Sequence, residues 1–222
     1  MANKSSKIKY YANPAVEPGL QFEAVPPKHN VMFSNMGPVA TAYAIAGKGK
    51  KTAFLYFTNA LTKDGVDFDK LTDYDHEVAM FTNLHPMLDT MQIENHYDLD
   101  GIFYVPKVSV KAEDGSDVKE NIDAIVVLEP KKDSITFHDI FDVIRDVANI
   151  ARVNKVDNII LGKLGEGQFN RQPSIVGNMY AAVLNDQNVF GNVCISIPTD
   201  EYVAILRGFE HWYKAGVTEL KE

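Results

Sequence analysis

The sequence predicts an α/β protein, a three-layer α/β/α sandwich around a mixed sheet. Short apolar runs of strand length recur along the chain: Thr52–Thr58 (TAFLYFT), 124–128 (AIVVL), 159–161 (IIL) and 193–197 (VCISI). Helical patterns fall between them, above all the stripe Ile140, Ile144, Val147, Ala148 and Ala151, whose spacing puts all five on one face. Strands that are apolar throughout and alternate with amphipathic helices imply a sheet covered on both sides.

Residues 1–30 carry Pro14, Pro18, Pro26 and Pro27 with little periodicity and read as an extended arm or capping segment. Residues 31–222 read as one domain, with no internal repeat. Val31, Met32 and Phe33 form a short strand, and Gly37-Pro38 opens a short helix through Val39, Ala42, Tyr43 and Ala46, stopped by Gly47. The run 47–51 (GKGKK) is a solvated turn. Thr52–Thr58 is a buried strand, and 59–71, with Asp64-Gly65, is a loop. Residues 74–84 form a helix with Val78, Phe81 and Leu84 inward. Residues 102–110 form a strand broken by Pro106, which belongs at an edge or bulge. A charged tip around Asp114-Gly115 leads to the strand at 124–128. Thr136 precedes the helix of the five-residue stripe, which feeds a strand at 158–161. The last strand is 193–197, and Tyr202, Ile205, Leu206, Phe209 and Trp212 mark a final amphipathic helix.

At 222 residues, with 45% hydrophobic and 23% charged residues, the chain suits one sizeable globular domain. It has no apolar run of membrane-spanning length and no apolar core near its polar start, which predicts a soluble, cytoplasmic protein. The single cysteine, Cys194, rules out an internal disulfide framework and reads as a buried, inert thiol. A formal net charge of −8 argues against long nucleic acids as partners, but not against a small phosphorylated ligand held by backbone amides. His76 has Asp73 and Asp75 nearby but no second histidine at ligand spacing, so no metal is expected; no cofactor is expected either.

The stretch 158–184 (NIILGKLGEGQFNRQPSIVGNMYAAVL) carries the chemistry. A strand runs into Gly162, Gly165 and Gly167, then Phe169, and Pro173 opens a helix with Val176, Met179, Tyr180 and Val183 on one face. Strand, glycine loop and helix in that order aim unpaired N–H groups at an anion and let a phosphate approach without a Cβ in the way. The loop matches neither the Walker lysine loop nor the dinucleotide fingerprint. By pattern it is either a phosphate loop or a plain strand-to-helix turn.

Several segments, in the same order, resemble the microbial type of poly(ADP-ribose) glycohydrolase, a branch of the macrodomain fold. YFTNA at 56–60 resembles the strand leading into that family's first ligand loop. LHP at 84–86 resembles its leucine-tyrosine-proline turn, with His85 in place of tyrosine. IFYVPKVSVKAEDG at 102–115 resembles its proline-containing strand and acidic turn. GKLGEGQFNRQP at 162–173 resembles its phosphate loop. The resemblance implies an ADP-ribose cleft. Gly162, Gly165 and Gly167 would face the diphosphate, Phe169 would wall the ribose or pack under the loop, and Asn59 would bind a ribose or serve the turn.

The family's catalytic signature is three glycines, a spacer, then glutamine-glutamate-glutamate. Here it reads Gly65-Val66-Asp67-Phe68, then Asp75-His76-Glu77. A register set by Phe68 puts Glu77 under the final glutamate, and a register set by 84–86 puts His76 there. The resemblance implies a general acid that protonates the leaving ribose oxygen. The alternative for Glu77 is a solvated carboxylate on a helix. Val66 and Asp67 would crowd the ligand, while the charge of Asp67 would help keep a neighbouring Glu77 protonated. Crowding outweighs the pKa effect, so the expectation is ADP-ribose or a related NAD-derived nucleotide bound with slow or absent hydrolysis. The alternatives are an active glycohydrolase with Glu77 as acid, and a closed cleft serving protein interaction. The expected partner is an ADP-ribose-type small molecule or an ADP-ribosylated substrate.

Overall fold

The computed structural model describes residues 8–11, 30–47, 49–62, 65–89, 101–128, 136–164, 173–186, 192–198, 201–213 and 217–219. The strands are β1 (Lys9–Tyr11), β2 (Asn30–Ser34), β3 (Thr52–Thr58), β4 (Leu61–Thr62), β5 (Gly65–Val66), β6 (Ile102–Lys111), β7 (Val118–Leu128), β8 (Asn158–Leu161), β9 (Asn192–Ser196) and β10 (Val217–Glu219). The helices are α1 (Pro38–Ile45), α2 (Asp73–Phe81), α3 (Leu84–Asp89), α4 (Phe137–Val153), α5 (Pro173–Asp186) and α6 (Tyr202–Trp212). Eight strands form one sheet in the order β1-β6-β7-β3-β8-β9-β2-β10. From β7 to β10 every neighbouring pair is parallel, and β1–β6 and β6–β7 are antiparallel. The sheet is mixed, as the sequence predicts.

Its two faces bury separate cores. In β3, Ala53, Leu55 and Phe57 join the core that contains Ile140, Ile144 and Val147 of α4, Val176 and Tyr180 of α5, and Ile205 and Phe209 of α6. Phe54 and Tyr56 point the other way, into the core with Val39 and Ala42 of α1, Val78 of α2, and Leu84 and Leu88 of α3. The strand alternates because successive side chains leave opposite faces. All seven of its residues are buried because helices cover both faces. This is the three-layer α/β/α arrangement.

The helix of the five-residue stripe starts where Thr136 suggests. Thr136 accepts from the Asp139 amide, and the Asp139 carboxylate accepts from the Thr136 amide in return, a reciprocal capping box. Pro106 lies at the register shift between Val105 and Val108 of β6, a bulge that tolerates its missing N–H. No helix among the described residues is long and apolar enough to cross a membrane. Cys194 is a buried free thiol whose pKa is pushed up by burial to about 12.

Several local expectations are corrected. The stretch 59–71 is not a plain loop: β4 and β5 pair as a small antiparallel hairpin, and a 3-10 turn spans Phe68–Lys70. The predicted 74–84 helix is two helices. Thr82 forms a bridge to Val110, and Asn83 exchanges hydrogen bonds with Ser109 through its amide at 3.3 Å and its Oδ1 at 2.8 Å. The edge of β6 thus takes the backbone that would have continued α2. β7 begins at Val118, earlier than its apolar run, because its first residues pair across the hairpin with β6. β1 and β10 extend the sheet at its two edges.

Candidate functional site

The carboxyl ends of the parallel strands form one rim, where ligands of open α/β sheets commonly sit. α1 begins there, directly after β2. Its N-cap is Gly37 and it has no side-chain cap from its own sequence, so its first amides need an outside acceptor. Glu77 of α2 supplies it: Oε1 accepts from the amides of Val39 at 3.2 Å and Ala40 at 3.3 Å. A Cβ on Gly37 would fall inside the Glu77 carboxyl, so only glycine leaves room for it.

Burial pushes the Glu77 carboxyl from its ordinary 4.5 up to about 7, against the two amides, which favour the ionised form. Glu113 adds to the rise. At neutral pH the group therefore holds its proton about half the time, the condition a general acid needs. Contrary to the expectation from the sequence, Asp67 is not among the causes of this rise. Asp67 is paired with Lys70 at 2.5 Å and accepts from the Asp69 amide at 3.2 Å. The bond to Lys70 is the first cause holding it below the usual carboxylate range. Of the two residues the register left open, Glu77 turns its carboxyl to α1 and His76 is exposed.

The loop before α1 is held by buried hydroxyls. Thr41 Oγ1 lies 3.1 Å from Ser34 Oγ and 2.9 Å from Ser196 Oγ. Ser196 donates to the Met36 carbonyl at 2.6 Å, and the Met36 amide donates to Ser34 Oγ at 3.1 Å. The ends of β2 and β9 and the first turns of α1 are thereby tied together. Gly162 sits at the end of β8, where a Cβ would approach Pro38 Cγ to 3.0 Å, and its carbonyl accepts from Tyr180 at 2.6 Å. The start of the glycine loop, the N-terminus of α1 and the Glu77 carboxyl thus share one place. Gly165, Gly167 and Phe169 lie outside the described residues.

Asn59 is exposed just beyond β3 on the same rim. Gly65 is in β5, opposite Thr62, with the neighbouring Val66 amide donating to Asp89 at 3.0 Å. Tyr74 of α2 donates to the Leu55 carbonyl at 2.5 Å, and burial, then Glu77, hold its phenol well above its ordinary value. Gly37, Tyr74 and the α1 amides escaped the sequence reading. Gly37-Pro38 signalled a helix start there, but nothing local marks which side chain completes the cap. No group of three His, Cys, Asp or Glu side chains among the described residues gathers to hold a metal ion.

No protein-family model and no curated protein matches the sequence. The fold, by contrast, recurs in solved structures. Poly(ADP-ribose) glycohydrolase from Thermomonospora curvata superposes with a TM-score of 0.71 at 19% identity, over 92% of this chain and 86% of that one. The Deinococcus radiodurans enzyme in complex with ADP-ribose superposes with a TM-score of 0.74 at 16% identity, over 93% and 95%. The Thermomonospora curvata enzyme bound to the inhibitor ADP-HPD gives 0.69 at 19% identity, over 91% and 85%. The chain has the macrodomain-like fold of the microbial poly(ADP-ribose) glycohydrolases.

Proposed function

We propose that this chain binds ADP-ribose or a related NAD-derived nucleotide at the rim formed by α1, β8 and α2, with slow or absent hydrolysis. One observation carries the reading: the glycine-loop strand, an N-terminal helix turn and a protonatable glutamate converge on one spot of a fold whose Deinococcus radiodurans representative was crystallised with ADP-ribose. In this reading Gly162, Gly165 and Gly167 take the diphosphate, and Asn59, Gly65 and Phe169 flank the riboses. Slow turnover follows from two features. Glu77 Oε1 is engaged by the α1 amides, and the stretch at Gly65 is a paired hairpin carrying Val66 where an open glycine loop would let the ligand come close.

A second reading, an active ADP-ribosyl glycohydrolase, draws on the Glu77 carboxyl being raised to about 7. Calorimetry with ADP-ribose tests binding, and chromatography of the protein mixed with poly(ADP-ribose) tests turnover. We expect Glu77→Gln to leave ADP-ribose affinity within a few-fold. Rapid release of ADP-ribose by the wild type, abolished in Glu77→Gln, would favour the enzyme. Gly167→Val is expected to weaken ADP-ribose by at least about tenfold, or about 1.4 kcal/mol, with the fold retained. Unchanged affinity in that variant would place the diphosphate elsewhere.

A further inference from the structure

Tyr56 of β3, Asp75 of α2 and His85 of α3 are 1%, 1% and 4% exposed and meet in one hydrogen-bonded chain. The Tyr56 hydroxyl donates to Asp75 Oδ1 at 2.6 Å and lies 2.7 Å from His85 Nε2. Asp75 Oδ2 accepts from the amide and hydroxyl of Thr72 at 2.7 and 2.8 Å, so the same side chain closes the capping box of α2. A phenol has one proton to give. With that proton on the bond to Asp75, the contact to His85 requires the imidazole to donate from Nε2. His85 is therefore the Nε2–H tautomer, and its buried Nδ1 has no partner among the described residues. Among the described residues, the titratable groups facing this ring are Tyr56 of β3, Asp75 of α2 and Asp89 of α3. Burial lowers the His85 pKa against the pull of both carboxylates, which keeps the ring a neutral donor.

α2 has nine residues, too few to hold its place without tertiary ties. Tyr74 and Asp75 anchor its first turn to β3, at the Leu55 carbonyl and the Tyr56 hydroxyl. Glu77 leaves the helix two residues later, close to the opposite side, and reaches α1. Any rotation or lift of α2 moves that carboxyl. We propose that Tyr56 and His85 are positioning residues for Glu77: the chain from His85 through Tyr56 to Asp75 sets how α2 sits on β3, and so delivers the Glu77 carboxyl to the amides of Val39 and Ala40. The proposal rests on the reading of Glu77 as the acidic group of the cleft.

The experiment is nuclear magnetic resonance on the full chain without ligand. In the wild type, imidazole nitrogen shifts should report the Nε2–H tautomer of His85, and carboxyl-labelled glutamate should show Glu77 titrating near 7. His85→Leu should lower the Glu77 midpoint by about one pH unit or more toward the ordinary carboxylate range and shift the amide signals of Val39 and Ala40. His85→Gln, whose amide nitrogen supplies the same donor, should restore both. A folded His85→Leu with wild-type Glu77 titration overturns the proposal, as does an Nδ1–H tautomer in the wild type. Where His85→Leu does not fold, the wild-type tautomer carries the decision. No ligand enters these measurements, so failure of ADP-ribose to bind in calorimetry is a separate result.

Discussion

Replacing Glu77 by glutamine is expected to make the protein more stable at pH 8, by between about 1 and 3 kcal/mol. The folded-state pKa of Glu77 is raised from 4.5 to about 7 by burial, so the fold favours the protonated form. This contribution is fully present below about 4.5, is lost as pH rises through about 7, and is absent at pH 8. Each pH unit is worth about 1.36 kcal/mol, and partial solvent exposure brings the full value down. Glutamine cannot ionise, and its Oε1 still accepts from Val39 and Ala40. Urea unfolding of both proteins from pH 4 to 8 should give curves that coincide in acid and diverge above about pH 5. Asp146, also raised by burial, to about 6, titrates in both proteins and cancels in the difference. Equal stability at pH 8 would mean that the Glu77 carboxylate is solvated, and the acid role would lose its physical basis. A carboxyl kept where an amide would be more stable is the trade expected of a functional group.

Gly177→Val is expected to cost the fold more than about 3 kcal/mol, beyond the usual range for overpacking. α5 and α6 cross with backbone against backbone. A Cβ on Gly177 would fall onto the Ile205 carbonyl and within 2.9 Å of the Phe209 nitrogen, and one on Gly208 would fall onto the Ser174 carbonyl. Backbone atoms cannot swing aside as a side-chain end can, so the helices must separate. Separation opens the core that Val176, Tyr180, Ile205 and Phe209 fill. Gly47→Ala is the matched control, since among the described residues its Cβ would meet only the Ile45 carbonyl, at 3.9 Å. Denaturant midpoints should fall sharply for Gly177→Val and Gly208→Val and stay put for Gly47→Ala. A Gly177→Val protein with an unchanged midpoint would show that α5 and α6 do not pack this closely.

Much of the fold is legible because its signals are local. The buried runs at Thr52–Thr58 and Asn158–Leu161 appear as strands with those bounds or close to them, since helices on both faces leave no polar alternation. Thr136 and Asp139 are three residues apart, so the capping box of α4 is visible before any tertiary contact forms. Pro106 announced an edge or bulge and sits at one. The candidate site was legible only in outline. Glu77 and Gly162 were singled out by motif, but Gly37, which makes the space for Glu77, lies 40 residues before it and looks like any helix start.

By itself the sequence determined the order and type of the main elements, the burial of Cys194 and the likeness to poly(ADP-ribose) glycohydrolases, which the superposed structures share at under 20% identity. Those properties rest on periodicity and on residues within a few positions of each other. Only the tertiary structure decided the edge strands β1 and β10, three residues each, which carry no periodic signal and exist because a neighbouring strand offers unpaired backbone groups. It alone decided that α2 stops at Thr82, where the edge of β6 competes for the chain. It alone decided the ionisation of Glu77 and the tautomer of His85. Desolvation and hydrogen bonds between β3, α1, α2 and α3 set both, and these energies depend on groups distant in the chain that meet only when the sheet has formed.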